Sequence, residues 1–586
     1  MDTTIEGRAV DSRDETVEAT TAAAAASARL VATAATASAA LLAAASLAAC
    51  GGGGDSSSGS TPGTGGTGGP TPPAPTAIEA SRFLAQASMG ADRTQMARVQ
   101  AIGYAGWLDE QFSLPASPDR WSTLVAAGFD AATYKNSEAG FDAVTWKKLL
   151  SSPDTLRQRV TLALSEIFVA AIDGLVGGGW RAFAAANYLD VLEANAFGSH
   201  RTLLQQISTS TAMGMFLTYR GSAKADPVSG ALPDENYARE LMQLFTIGLV
   251  ELAPDGTPRR NGGATTPTYA QDDITGLARV FTGWDFDLAG LTGAAATATP
   301  DFQRRPMVQI ASRHESGAKT FLGTTITAGT DGVRSLTLAL DAIAGHANVA
   351  PFTARQLIQR LVTSNPSPAY VARVAAVFAN DGAGARGNLR AVVKAILLDD
   401  EARSAAIAGG TGSGKLREPM LRFAGWARAW TVASASGAWN VGNTSDPALR
   451  LGQSPLRSPS VFNFFRPGYV PPNSPIASAA LVAPEFQLNN ESSVVGAVNY
   501  LQRAVAGGVG DLVADYSPLL AMADDAAALA TEIALVLAAG QLGTATLATI
   551  STAVATLPAG TDATRLKRIY ASLVLVAASP EFVVLK

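Results

Sequence analysis

The sequence predicts an all-α protein, a large multi-helix globular domain with at most a few short strands, preceded by a disordered N-terminal tether. Two observations carry this prediction. Through most of the chain apolar side chains recur at the 3.6-residue spacing of buried helices, and no alternation of strands with helices repeats. Near the N-terminus, a long stretch of Gly, Ser, Thr and Pro lacks the apolar residues that a core needs.

Residues 1–49 are interpreted as a bacterial lipoprotein signal peptide. An Ala-rich, weakly apolar run ends in Leu47-Ala48-Ala49-Cys50. This resembles a lipobox, the small-residue site at which such a signal is cleaved and the new N-terminal cysteine is acylated. A transmembrane helix is the alternative, but alanine is a poor substitute for leucine or valine over about 20 residues. Acyl chains on the cysteine would supply the missing apolar area.

Residues 50–76 are interpreted as the lipidated cysteine followed by a flexible linker. Positions 51–76 are Gly, Ser, Thr or Pro, except for Asp55 and Ala74. A segment of this composition cannot bury apolar area and stays flexible. Gly51, rather than an acidic residue, follows the cysteine. By analogy with lipoprotein retention rules, this favours an outer-membrane lipoprotein of the cell envelope that faces the periplasm or the exterior.

Charge and cysteine content exclude several classes of protein. Cys50 is the single cysteine, so a mature chain has no disulfide and no thiolate metal cluster. The 44 basic and 49 acidic side chains give a formal net charge of −5, which does not suggest nucleic-acid binding. The membrane is expected to be contacted through the lipid anchor only. Residues 77–586 have ample length for a core and are predicted to form the helical domain.

Helices are predicted where an apolar stripe follows a capping residue. Ser152 and Pro153 are expected to open one helix, as its N-cap and its first residue. Ser367 and Pro368 are expected to open another in the same way, and a further helix is expected to begin at Pro351. Strand signals are few, and they are confined to residues 308–310, 321–322 with 324–327, and 582–585.

The densest charged segment, residues 233–248, is predicted to be a capped amphipathic helix. Asp234 is the expected N-cap, and Gly248 is expected to end the helix in a left-handed turn. Glu235 and Arg239 have the i,i+4 spacing of an ordinary helix salt bridge, which accounts for much of the charge in this segment.

Motifs spread over nearly all of the chain after the linker carry a family resemblance. They are residues 233–248, 269–274 with 281–284, 346–370, Arg417-Glu418-Pro419, 460–465 and Pro484-Glu485-Phe486. They resemble the signature blocks of the bacterial domain-of-unknown-function family numbered 1800. The resemblance implies a mostly helical, exported bacterial protein, often encoded beside a partner from another uncharacterised, sulfatase-like family. It implies no activity, because the family has none established.

The sequence contains three histidines, and none belongs to a His-x-x-x-His or His-Glu-x-x-His pair. His200 lies near a predicted helix start and is expected to be a surface or capping residue. His314 lies in a polar turn, and His346 lies at the entrance to the helix expected from Pro351. A metal would therefore have to be bound by ligands from separate elements, and a structural role for each histidine is the alternative.

Glu240 is the one carboxylate of the charged helix without an evident local partner. One hypothesis places it in a site with His314 and His346, as ligands of a divalent metal and as catalytic residues. Asp272, at the head of the next helix, and Arg239 would assist catalysis there. The alternative is that Asp272 only caps its helix.

Residues 409–416 nearly spell a P-loop, but Leu416 stands where the motif needs a Ser or Thr to bind magnesium. They are interpreted as a flexible interhelical loop, and no nucleotide is predicted. Arg417, Glu418 and Arg422, which follow directly, are interpreted as a structural charge network.

Two functions from different classes remain. The first is a cell-envelope binding or assembly lipoprotein that acts with an exported partner, through long loops near 254–270 and 435–490. The second is a metal-assisted hydrolase or another enzyme with Glu240, His314 and His346 around one cleft. The absence of a compact catalytic motif favours the first.

Overall fold

A computed structural model describes residues 73–291 and 296–586 of the chain. The predicted signal peptide, Cys50 and the linker up to residue 72 lie outside these residues. Within them, helices make up most of the regular structure, and each sheet contains only two short strands. The predicted all-α class is therefore confirmed for the described part of the chain.

The α-helices range from a single turn to several turns. In chain order they are α1 (Ala77–Ala87), α2 (Arg93–Ser113), α3 (Arg120–Ala126), α4 (Phe141–Ser151), α5 (Thr155–Ser165), α6 (Arg181–Ala194), α7 (His200–Ser208), α8 (Thr211–Phe216), α9 (Asn236–Glu240), α10 (Gln271–Ala278), α11 (Gly332–Gly345), α12 (Val349–Leu361), α13 (Pro368–Ala379), α14 (Leu389–Leu398), α15 (Asp400–Arg403), α16 (Ala405–Ala408), α17 (Pro419–Ala429), α18 (Pro475–Ser478), α19 (Glu491–Gly507), α20 (Ser517–Leu520), α21 (Ala526–Ala538), α22 (Thr544–Ala555), α23 (Asp562–Ala577) and α24 (Pro580–Val583). A π-helical turn covers Leu241–Thr246, and 3₁₀ turns cover Ala132–Tyr134, Ile172–Gly178, Arg279–Phe281, Asp301–Arg304, Ala311–Arg313 and Pro484–Leu488.

The strands pair only in antiparallel twos, so none of the sheets forms a layer of its own. The pairs are β1 (Arg260–Asn261) with β2 (Ala264–Thr265), β3 (Trp284–Asp285) with β4 (Val308–Gln309), β5 (Lys319–Phe321) with β6 (Thr324–Ile326), β7 (Lys415–Leu416) with β10 (Val584–Leu585), and β8 (Ala433–Ser434) with β9 (Leu512–Val513). Each of the three segments with strand signals contains one or two of these strands.

Helix α13 begins as its sequence predicts. Its N-cap Ser367 accepts a hydrogen bond from Tyr370 N at 3.1 Å, and Pro368 is the first helical residue. The same prediction is wrong for Ser152 and Pro153. Ser152 is instead the C-cap of α4, because its N–H donates to the carbonyl of Lys148, and α5 starts only after the next aspartate.

The hydrophobic core runs through the whole of the compact unit Pro73–Lys586. Its largest fully buried side chains include Trp107, Trp146, Trp180 and Trp426. Helix α5 is buried along nearly its whole length, polar residues included. A helix so enclosed can place charged side chains in the interior, and the strand pair β7–β10 lies close to those charges.

Candidate functional site

The charged segment 233–248 forms a helix that changes type half-way. The predicted N-cap is wrong by one residue, because Glu235 is the N-cap of α9 and Asp234 Oδ1 accepts from Asn236 N at 2.8 Å from the position before it. A π-helical turn follows α9 and continues to residue 246. The predicted salt bridge is confirmed, with 3.1 Å between Arg239 Nη2 and Glu235 Oε2. Gly248 ends the segment at a φ of 74°, the left-handed turn that was predicted. The π turn is not predicted by the sequence pattern.

Glu240 lies at the junction of α9 and the π turn. Only 6% of the residue is exposed, and its Oε2 has no hydrogen-bond partner in the described part of the chain. Burial raises the pKa of its carboxyl. The neighbouring Tyr269 hydroxyl donates instead to Gln243, and Asn236 turns away to donate to Thr218. Glu240 is thus a buried carboxyl without a local partner, as the sequence predicts.

His314 and His346 lie in surroundings that differ from each other and from that of Glu240. His314 Nδ1 is 3.0 Å from the carbonyl oxygen of Thr282, and burial lowers the pKa of the ring. His346 Nδ1 accepts from Asn348 N at 3.1 Å, which fixes the ring over the first turn of α12. Burial also lowers the pKa of His346.

The structure does not bring the predicted metal ligands together. No group of three or more His, Cys, Asp or Glu side chains within residues 73–291 and 296–586 is placed to hold a metal ion, and Glu240, His314 and His346 are no exception. Asp272 is exposed on the first turn of α10. Arg239 is paired with the glutamate one turn before it. The sequence could not test whether these residues converge, because ligands from separate elements have no characteristic spacing along the chain.

His200 is not the surface residue that its sequence context predicts. Only 2% of it is exposed, and the ring lies near the rings of Phe168 and Phe378, with centroids 6.0 and 5.2 Å away. Burial first, and then the charge of Arg386, lowers its pKa to about 4. The error arose because a helix N-terminus is usually solvated, whereas this one is covered by the turn at Gly387, whose carbonyl accepts from His200 N.

The densest polar feature of the interior is a buried charge cluster. It consists of three acids and three bases: Glu166, Glu418, Glu485, Arg159, Arg360 and Lys415. All six residues are at most 4% exposed. They converge from the end of α5, from α12, from β7 and the residues after it, and from the 3₁₀ turn at 484–488. Sequence separations of many tens of residues explain why the sequence alone does not reveal it.

Lys415 contacts three other members of this buried charge cluster. Its Nζ lies 3.0 Å from Glu485 Oε1 and 3.6 Å from Glu418 Oε1, and it donates to the carbonyl of Arg360 at 2.8 Å. The residue belongs to β7, so the end of the segment 409–416 is anchored in the interior and is not part of a flexible loop. Arg360 reaches from here to Glu166, at 3.5 Å, and its guanidinium lies 4.5 Å from the ring centroid of Phe465.

Glu166 and Glu418 are two neighbouring buried carboxyl groups inside the cluster. Burial raises the pKa of Glu166 well above its ordinary value, and the nearby charge of Glu418 adds to this. Burial alone would also raise the pKa of Glu418, but the hydrogen bond from Glu166 and the charge of Lys415 hold it below its ordinary value. The two shifts have opposite directions, so Glu166 is the member of the pair that takes up a proton more readily. Gln453 Nε2 completes the pair by donating to Glu418 Oε2 at 2.6 Å.

Two small cavities adjoin the cluster. One, of about 30 Å³, is lined by basic side chains that include Arg159 and Lys415. The other, of about 10 Å³, is lined by Glu166, Asn463 and Phe464 among others. Each offers room on the scale of single water molecules, not of an organic substrate. The charge cluster and its two cavities have the chemistry to bind a proton or a small ion.

The sequence pattern partly anticipates this site. Glu418 is part of a charge network, as predicted for its motif, but its side-chain contacts are with Lys415 and Gln453 and not with the predicted Arg417 and Arg422. The motif containing Glu485 is also recognised in the sequence. Its burial is not predicted, because charged residues are usually exposed. The sequence does not indicate that Arg159 and Glu166 belong to this site, because the spacing of apolar residues along α5 is that of an ordinary buried helix.

Comparison with known proteins gives a family match and nothing more specific. The family model described as a protein of unknown function, DUF1800, matches residues 82–584. This confirms the family resemblance of the motifs. Searches of the curated proteins and of the solved structures gave no match. Within the described residues, no helix combines the length and the apolar character needed to cross a membrane.

Proposed function

Because the chain belongs to the DUF1800 family, whose function is unknown, we propose a function from its own residues: an exported lipoprotein of the cell envelope that binds an exported protein partner. The lipobox at Cys50 supports export and an anchor in the outer membrane. The linker after it supports a folded unit held clear of the lipid. The contact with the partner is assigned to surface loops, because the polar interior has only water-sized cavities beside it.

One loop carries this proposal. The 226–232 loop, between α8 and α9, exposes Val228 by 93% and Leu232 by 79%, the highest values among the large apolar side chains of the described residues. Exposing two aliphatic side chains in one short loop is unfavourable in water, and such groups commonly mark a contact with another protein. Aliphatic side chains so presented would fit an apolar pocket on the partner.

The 226–232 loop is held in shape by its own hydrogen bonds. Asp226 N donates to the carbonyl of Ala231 at 2.9 Å, and Gly230 N donates back to the carbonyl of Asp226 at 2.8 Å. The Asp226 carboxylate also accepts from Val228 N at 2.9 Å and from the Ser229 hydroxyl at 2.6 Å. A loop ordered in advance loses less conformational entropy when it binds, which favours its use as a contact.

The lipid anchor is tested by metabolic labelling with palmitate. The full chain expressed in a Gram-negative host should be labelled and should fractionate with the outer membrane. A Cys50→Ser variant should lose the label, because the acylated sulfur is gone, whereas a Ser57→Ala variant in the linker should keep it. Unchanged labelling of the Cys50→Ser variant would contradict the proposed anchor.

The partner contact is tested by photo-crosslinking in cells of the native host. A photoreactive residue at position 228 should give one stoichiometric adduct with an exported protein. The same residue at position 333, where a valine is 58% exposed on α11, should give none. The double substitution Val228→Asp and Leu232→Asp should weaken the purified complex by a factor of ten or more, on the order of the 1–3 kcal/mol typical of contact residues. Equal adducts at both positions, or no adduct at 228, would count against the proposal.

A further inference from the structure

The larger cavity beside the buried charge cluster has a wall of one charge sign. Its volume is about 30 Å³, comparable to the volume of one water molecule in the liquid. Among the described residues that line it, none carries a carboxylate, and four carry a positive charge. The four are Arg159, Lys415, Arg417 and Arg422. We call this space the basic cavity.

Two of these guanidinium groups leave buried nitrogens without partners. Arg159 is fully buried, and Arg417 is 9% exposed. Each donates one hydrogen bond to a main-chain carbonyl, Arg159 to residue 360 and Arg417 to residue 537. Nε and Nη1 of Arg159, and Nε and Nη2 of Arg417, have no partner in the described structure. Buried donors are nearly always satisfied in folded proteins, by protein or by a bound species.

Two of the four charges around the basic cavity, those of Arg417 and Arg422, have no acidic group acting on them. Burial, with a further effect of Arg422, lowers the pKa of Arg417 to about 10, and burial alone lowers the pKa of Arg422 to about 10. No acidic group counteracts this at either residue. The carboxylates of the charge cluster lie close enough to raise the pKa of Arg159, but burial has the larger effect and lowers it. Two neighbouring positive charges without a counter-charge at a largely buried place are unfavourable.

We propose that the basic cavity binds one small inorganic anion of halide size, with chloride as the ligand in the cell envelope. The ion would accept hydrogen bonds from the free nitrogens of Arg159 and Arg417, and its charge would offset those of Arg417 and Arg422. The volume of the cavity excludes organic phosphates and nucleotides. The site is independent of the 226–232 loop and of the proposed partner.

The proposal is tested first on the unmodified full chain. Its melting temperature is measured in sodium chloride, sodium bromide and sodium gluconate at equal ionic strength, so that general screening is the same in all three. Gluconate is too large to enter. A ligand that binds only the folded chain raises the melting temperature, here by about 1–3 °C in chloride and in bromide for an ion well above its dissociation constant. Equal melting temperatures in the three salts would overturn the proposal.

A matched pair of variants locates the ion. Arg422→Gln removes a charge that has no acidic neighbour, so the variant should melt in gluconate at least as high as the original chain and should lose the halide increment. Arg334→Gln removes an exposed arginine of α11 and should keep the increment. An increment that survives in Arg422→Gln would refute the site.

A second measurement needs no variant. Crystals of the full chain grown in bromide should show an anomalous scattering peak inside the basic cavity, between Arg159 and Arg417. A bromide structure without a peak at that place would also overturn the proposal.

Discussion

Replacing Lys415 with methionine should lower the free energy of unfolding by about 3–5 kcal/mol, the usual effect of removing one partner from a buried ion pair. The substitution keeps the length of the side chain and removes its charge. It leaves the buried carboxylates of Glu485 and Glu418 without the positive charge of Lys415, and the carbonyl of Arg360 without its donor. Urea unfolding, with the midpoint and the slope both recorded, measures the loss.

The chain offers a matched control for this substitution. Lys394 makes a pair of similar length with Asp109, 2.7 Å apart, but both side chains are exposed, by 39% and 52%. Lys394→Met should therefore lower the free energy of unfolding by less than about 1 kcal/mol. Equal losses of stability in the two lysine variants would show that burial does not increase the contribution of Lys415 to the free energy of unfolding. The double variant Lys415→Met with Glu485→Gln should lose less than the sum of the two single losses.

The free energy of unfolding should fall by about 3 kcal/mol between pH 6.5 and pH 4 because of His200 alone. The pKa of this histidine is lowered from 6.5 to about 4 in the folded chain, so below pH 6.5 the unfolded chain binds a proton that the folded chain does not. Its contribution to stability is thus complete above pH 6.5 and is lost as the pH falls towards 4. Urea unfolding at a series of pH values measures it.

The control for His200 is His200→Leu, which fills a similar volume between Phe168 and Phe378 and cannot bind a proton. The difference in stability between the original chain and the variant should change by about 3 kcal/mol across this range. Slopes due to His314, His346 and the carboxyl groups are common to both proteins and cancel. Parallel curves for the two proteins would show that His200 is not held neutral in the folded chain.

Local signals explain what the sequence predicts correctly. The cap at Ser367, the salt bridge between Glu235 and Arg239 and the left-handed turn at Gly248 each depend on residues within one or two turns of each other. The failure at Ser152 is local too, because serine serves at either end of a helix and two helices adjoin there. The sequence correctly predicts that Glu240 has no partner in its own helix, because this depends only on the residues within one turn of it.

The charge cluster could not be predicted, because its formation is decided by distant contacts. Lys415 and Glu485 are brought together by the packing of separate elements, and no spacing in the sequence encodes their separation of 3.0 Å. The same limit applies to the hypothesised site of Glu240, His314 and His346, which come from separate elements and are not placed to hold a metal ion together. Charged residues in a motif indicate a role, but their burial is a property of the fold.

The pairing of β7 with β10 sets an order for events during biosynthesis. Lys415 and Leu416 find their strand partner only in Val584 and Leu585, and Arg417 N donates to the carbonyl of Val583 at 2.7 Å. The interior charges cannot be sealed from water until the segment around residue 585 has been translated. Until then the nascent chain holds hydrated charges that are buried in the finished protein, and tight folding of this region must wait for its C-terminal strand.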